Sequence, residues 1–315
     1  MSRALFQTAN HASGKPRPSP HRRHGLACLS LQRRQALAGF LFAVPSVTLF
    51  AAFAIYPILA TFYISAFQYD LLTPKHYVGL SNYLSLFGDR LFLNSAQATL
   101  TYVLGTYTPL WFLSLAIALA LNQSFRFRGA LRVVYFTPVV MSMVIVAVIW
   151  KLMYHPDGLV NSLLSWAVKE PILWLTTSGW APVAIIIMSV WKMSGYFMVI
   201  FLAGLQGIPH EYYEASIIDG ANRRQMFRFI TLPLLKPITM FVVIMSLIMG
   251  LQEFTPQYVM TGGGPADATR VIALTIYQTG FVYLKMGVAA AMSVLLFLAI
   301  LAITLVQMRF FSERG

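Results

Sequence analysis

Six stretches of the chain are apolar over about the length of a membrane crossing, near residues 36–66, 96–121, 133–153, 180–205, 238–258 and 286–308. A hydrocarbon core of ~30 Å takes about 20 residues of helix to cross, so each stretch predicts one transmembrane helix. Tilt absorbs the slight excess of the first and last. The pattern predicts an all-α integral membrane protein, preceded by a Pro-, Ser-, His- and Arg-rich tail over residues 1–35 that has no apolar period and reads as disordered. Residues 36–315 form the membrane domain, interrupted by a polar loop over residues 206–237.

Composition agrees: 58% of residues are hydrophobic, 10% are charged, and mean hydropathy is +0.68. The net charge of +13 is a topological signal. The tail, the loop near 122–132, the loop 206–237 and the carboxyl end carry seven, three, four and two Lys or Arg. The opposite side carries six: Lys75, Arg90, Lys151, Lys169, Arg270 and Lys285. By the positive-inside rule both termini are cytoplasmic, and a nucleic-acid partner is not needed to explain the charge. The partner that composition demands is membrane lipid. The single Cys28 excludes an internal disulfide and a Cys-based metal cluster. His24, His76, His155 and His210 fall on different loops without metal-like spacing, so neither a metal site nor a catalytic residue is assigned.

Seven charged residues fall within residues 211–237. Irregular backbone is not tolerated against lipid, so this loop belongs in cytoplasm or against another protein. Tyr213, Ile217, Ile218, Ala221, Met226 and Phe229 fit two short amphipathic helices separated by Gly220. Asn222 is placed to cap the second, and Pro233 is expected to stop it. On physics alone, an interfacial helix pair with Arg223, Arg224 and Arg228 on lipid headgroups fits as well as a protein-docking element.

The order of residues here resembles the coupling loop of bacterial ATP-binding-cassette importer permeases, E-A-A, three residues, G, nine residues, I, one residue, L-P. Glu214, Ala215 and Ser216, then Gly220, then Ile230, Leu232 and Pro233 follow it, and only Ser216 departs. Asp219 and Ala221 flanking Gly220 are similar to the carbohydrate-uptake branch, as are "GLSNYLSLF", "DGLVNSLL", "LAGLQGIPHEYYEA", "LPLLKP" and "TGGGPADAT". "TGGGP" and the ending "QMRFF" look like the maltose or glycerol-3-phosphate first-permease type.

The resemblance implies a type I importer transmembrane domain of six helices in the bacterial inner membrane, forming half of a pore for a sugar, polyol or glycerol phosphate. It implies a homologous second permease, two ATPase copies and an extracytoplasmic solute-binding protein. It also implies that Arg224 and Phe227 join the other loop residues in coupling to the ATPase. ATP and Mg would bind in the partner subunits, since no G-x-x-x-x-G-K-[ST] phosphate loop occurs in this chain. The rival is an ion-coupled secondary transporter, which would work through intramembrane acids, of which Glu253 is the one available.

Lys192 lies about 18 Å below Trp180 if helical, near mid-membrane. With Trp191, Ser194, Tyr196, Gln252 and Glu253 it is a candidate for the solute path, where hydroxyl-rich ligands need polar groups and flat rings. The other reading of Lys192 is an interhelical pair with a carboxylate or carbonyl that touches no solute. The Met-rich run "VVMSMVIV" is expected as gap-filling core and Gly262 to Pro265 as an outer turn, which the resemblance implies meets the binding protein.

Overall fold

A computed structural model describes residues 24–312. The chain divides into two compact units, residues 1–59 and 60–315. The first holds α1 (His24–Phe50), with Pro45 inside it, followed by a π-helical turn at Ala51–Ile55. The helix thus starts within the tail: residues 24–34 are helical and run into the first span, which begins at Gln35, and the expected disorder of residues 1–23 lies outside the described residues. α2 (Tyr56–Ser65) completes that span.

The second unit opens on a short antiparallel pair, β1 (Phe67–Gln68) and β2 (His76–Tyr77), with Phe67 opposite Tyr77. Asn82 of α3 (Ser81–Gly88) fixes it, donating to the carbonyls of Ser65 at 2.8 Å and Phe67 at 2.9 Å. α4 (Arg90–Asn122) starts at Asp89, whose carboxylate accepts the N–H of Leu91 at 2.9 Å.

The third span is not one helix. α5 (Arg128–Val140) and α6 (Met143–Met153) meet at 97° across Met141 and Ser142, both of which are extended in ψ. The Met-rich run expected as core therefore holds a break. α7 (Leu159–Leu164) lies in the loop before α8 (Trp180–Gln206), the most buried of the long helices.

After α9 (His210–Ile218) and α10 (Arg223–Met226), a π-helical turn at Phe227–Thr231 runs without interruption into α11 (Leu232–Gln252). Pro233 does not stop a helix, contrary to expectation. It sits in the first turn of α11, where a missing N–H costs little, and the N–H of Leu232 reaches back to Phe227 across the π turn. The fifth span ends at Gln252, six residues sooner than its apolar pattern suggests. Glu253 is extended and α12 (Thr255–Thr261) begins afresh with Pro256 in its first turn. α13 (Ile272–Tyr277), a π turn at Gln278–Val282 and α14 (Met286–Ser312) complete the chain. Among the described residues, five helices are long and apolar enough to cross a bilayer, six when α5 and α6 count as one.

The main core lies among α4, α8 and α11, built on Tyr107, Leu110, Phe197, Phe201, Leu235 and Val242. Lipid offers these helices no hydrophobic gain for leaving it, so close approach and interhelical hydrogen bonds carry the specificity. Ser114 donates to the carbonyl of Ser194 at 3.1 Å, and the Trp111 indole to Ser246 Oγ at 2.8 Å. A Cβ on Gly250 would lie 2.2 Å from the Tyr107 ring, which is why that position is Gly.

Candidate functional site: the loop between the fourth and fifth spans

α9 closes on a backbone motif that explains the spacing of Glu214 to Gly220. The N–H of Gly220 bonds the carbonyl of Ile217 at 3.0 Å, and the N–H of Ala221 bonds that of Ser216 at 2.9 Å. This pair of bonds requires a left-handed residue between them, and Gly220 has φ +78°. Asn222 then opens α10 with a reciprocal cap: its side chain accepts from Gln225 N at 3.0 Å while Gln225 Oε1 accepts from Asn222 N at 2.8 Å. The two helices separated by Gly220 are present, the second passing directly into the fifth span.

Ser216, the departure from the family pattern, is buried and its hydroxyl donates to the carbonyl of Tyr213 at 2.7 Å. An extra oxygen is accommodated without an unpaired group. The Tyr213 hydroxyl lies 3.0 Å from Thr231 Oγ1, tying α9 to the π turn that starts the fifth span. No pattern in the sequence pointed to that link.

The loop leaves an apolar edge uncovered. Ile217 is 62% and Ile218 86% exposed, and Phe229 is exposed beside Arg228, whose guanidinium lies 5.8 Å from its ring centre. Glu214, Ala215, Asp219, Arg224, Leu232 and Pro233 are exposed, while Ala221, Phe227 and Ile230 are half-buried. Ile217 and Ile218 thus form an adjacent exposed apolar pair at the end of α9.

The residues proposed for a solute path separate into different environments. Lys192 is 5% exposed, and its ammonium donates to the carbonyls of Met141 at 2.8 Å, Pro138 at 3.1 Å and Val139 at 3.4 Å. Carbonyl partners are thus present for Lys192, and the three bonds match the three donors of an ammonium. Among the described residues it forms no ion pair with Glu253. The Glu253 carboxylate instead accepts the N–H groups of Phe254 at 3.1 Å and Thr255 at 2.9 Å, capping α12. Ser194 is buried and bonds the Trp191 carbonyl at 3.0 Å. Trp191 is exposed on one side and packs on Trp150 with ring centres 5.5 Å apart, Tyr196 is half-buried, and Gln252 is exposed.

At the far end, Gly262 and Gly263 have φ of +65° and +97° and form the expected turn, closed by Thr269, which donates to the Gly264 carbonyl at 2.7 Å. Arg270 pairs with Asp267 at 2.6 Å and bonds Gln278. No group of three or more His, Cys, Asp or Glu side chains is placed to hold a metal among the described residues.

The chain is 38% identical over 284 residues to the trehalose/maltose transport system permease protein of Thermococcus litoralis, covering 89% of this chain and 95% of that one. It is 37% identical over 279 residues to a probable ABC transporter permease of Bacillus subtilis, covering 87% and 90%. Its fold matches the crystal structure of a bacterial ABC transporter involved in the import of the acidic polysaccharide alginate, with TM-score 0.78 and 24% identity over 91% of this chain and 98% of the other. Residues 112–314 match the family described as binding-protein-dependent transport system inner membrane component, and the loop built around Gly220 lies within that match. With relatives of this identity along nearly the whole chain, the protein belongs to that family of inner-membrane transport components.

Proposed function

We propose that this chain is the permease subunit of an ATP-binding-cassette importer and forms half of a translocation pore for a sugar or a related polyol or glycerol phosphate. The observation that carries the reading is the knob of α9, in which Ile217 and Ile218 project from a helix pair bonded straight into the fifth span. A separate ATPase subunit with an apolar cleft is its complement. Closing of an ATPase dimer would move α9, and the Tyr213–Thr231 hydrogen bond and the continuous backbone from Arg223 to Gln252 would pass that motion to the membrane.

Relatives named for trehalose/maltose and lactose transport support a carbohydrate solute. The completed machine has a sister permease, two ATPase copies holding ATP and Mg, and a solute-binding protein on the outer side, which would meet the turn at Gly262 to Pro265. Trp191, Tyr196 and Gln252, which keep exposed surface, are the residues we assign to the solute path. An ion-coupled carrier is disfavoured because its one candidate acid, Glu253, is engaged as a helix cap.

The test is a photoreactive side chain at Ile218. Cross-linking to a co-expressed ATPase subunit, lost when Gly220 is replaced by Val, supports the reading. Cross-links to lipid alone would return the loop to a headgroup-binding role.

A further inference from the structure

A helix that ends inside the bilayer leaves its last carbonyls without donors, and lipid cannot supply them. α5 ends at Val140, in the interior of the apolar stretch 133–153. Of the carbonyls around that end, that of Pro138 already takes the Met141 N–H at 3.3 Å, and those of Pro138, Val139 and Met141 receive the Lys192 ammonium. An ammonium supplies three donors at one point, and its charge complements the negative end of the α5 dipole. No neutral side chain of that length could serve the three carbonyls together.

Two further features direct Lys192 to the break. Gly195, three positions further along α8, is where α5 comes closest: a Cβ there would lie 2.0 Å from the carbonyl oxygen of Tyr135 and 3.1 Å from Phe136 Cα. Only Gly permits this approach, which sets the end of α5 over Lys192. Beyond the break, α6 packs against α12, and Lys151 donates to the carbonyl of Val259 at 3.3 Å. α12 is the displaced end of the fifth span, set off by the Glu253 cap. The two broken spans thus carry their far half-helices as neighbours, and each break is capped by a charge of the sign its helix dipole favours.

We propose that Lys192 is a positioning residue of the transport cycle: capping α5 holds α6 bent against α12, and loss of the cap lets α6 swing toward line with α5. The cap itself stands on geometry, while its meaning for transport rests on the importer reading.

Nitroxide labels at Leu131 on α5 and Leu152 on α6, both exposed, report the bend in the full chain purified with its co-expressed subunits. Helical arms of 1.5 Å per residue place these positions ~20 Å apart when bent by 97° and ~31 Å apart when straight. K192M is expected to lengthen or broaden the distance, since losing a charge-assisted bond shifts a two-state population on the order of tenfold. K192R, which keeps donors and charge, is expected to restore the parental distance. Maximal uptake in vesicles should fall about tenfold in K192M with the half-saturating maltose concentration unchanged, provided maltose is a solute of the parent.

A parental distance in K192M would overturn the proposal, and a raised half-saturation with parental distance would make Lys192 a solute contact instead. If K192M does not accumulate, K192Q, with two donors and no charge, should lengthen the distance in part, and a parental distance there overturns the proposal equally. A lengthened distance in a protein whose parent, purified with its co-expressed subunits, hydrolyses no ATP would keep the cap and sink the importer reading.

Discussion

Replacing Gly220 tests the proposed coupling role of the 206–237 loop at its most constrained point. The residue has φ +78° and a Cβ built on it meets nothing within 4 Å, so a substitution is opposed by the dihedral alone, not by crowding. A left-handed conformation costs an L-residue ~1–2 kcal/mol, least for Asn, whose side chain bonds its own backbone, and most for a β-branched residue. The expected order of function is therefore Gly, Asn, Ala, Val. At ~2 kcal/mol, G220V shifts the closed α9 cap toward an open form roughly 30-fold, taking the bonds from Gly220 to Ile217 and from Ala221 to Ser216 with it. The assay is solute uptake per ATP hydrolysed in proteoliposomes holding the assembled transporter, together with its melting temperature. G220V should lose most of the ratio while the melting temperature of the membrane core stays within a few degrees, because Gly220 is exposed. A parental ratio in G220V would refute the role of the left-handed cap in coupling.

Three other outcomes follow from the same structure. Y213F removes the hydroxyl bond to Thr231 and should cost ~1 kcal/mol of α9 docking, read as faster hydrogen exchange at α9 amides with the exchange of α8 unchanged. N161A strips a buried amide that donates to the carbonyls of His155, Pro156 and Ile172 and accepts from Ile172 N and the Trp174 indole, and should cost about 3 kcal/mol or more, read as a lower melting temperature and red-shifted Trp emission. G250A drives a methyl into the Tyr107 ring and should destabilise the packing of α4 on α11 by ~1–3 kcal/mol, whereas G220A leaves that packing untouched.

What the sequence made legible follows from which features are local. The 180–205 run became a helix at Trp180–Gln206 because apolar length is sufficient in a bilayer. The Glu214 to Gly220 spacing was legible because a helix end of this type is written in six consecutive residues. The break of the third span was not, because "VVMSMVIV" holds neither Gly nor Pro, and the break is stabilised from another helix, by Lys192 and Gly195 of α8. Lys192 drew notice as a charge in a span, yet whether its partner was a solute or a backbone depended on where α5 ended. Pro233 was misread because its cost depends on the π turn before it, and periodicity does not show such a turn.

ATP hydrolysed by a docked subunit is expected to drive solute through this chain. The most direct measurement is uptake of radiolabelled maltose or trehalose into proteoliposomes containing this chain and its co-purified subunits, with ATP present only on the side bearing the 206–237 loop. Uptake that requires ATP and disappears on removing the ATPase subunit is the predicted result. Uptake by the chain alone, driven by a proton or sodium gradient and indifferent to ATP, would contradict it.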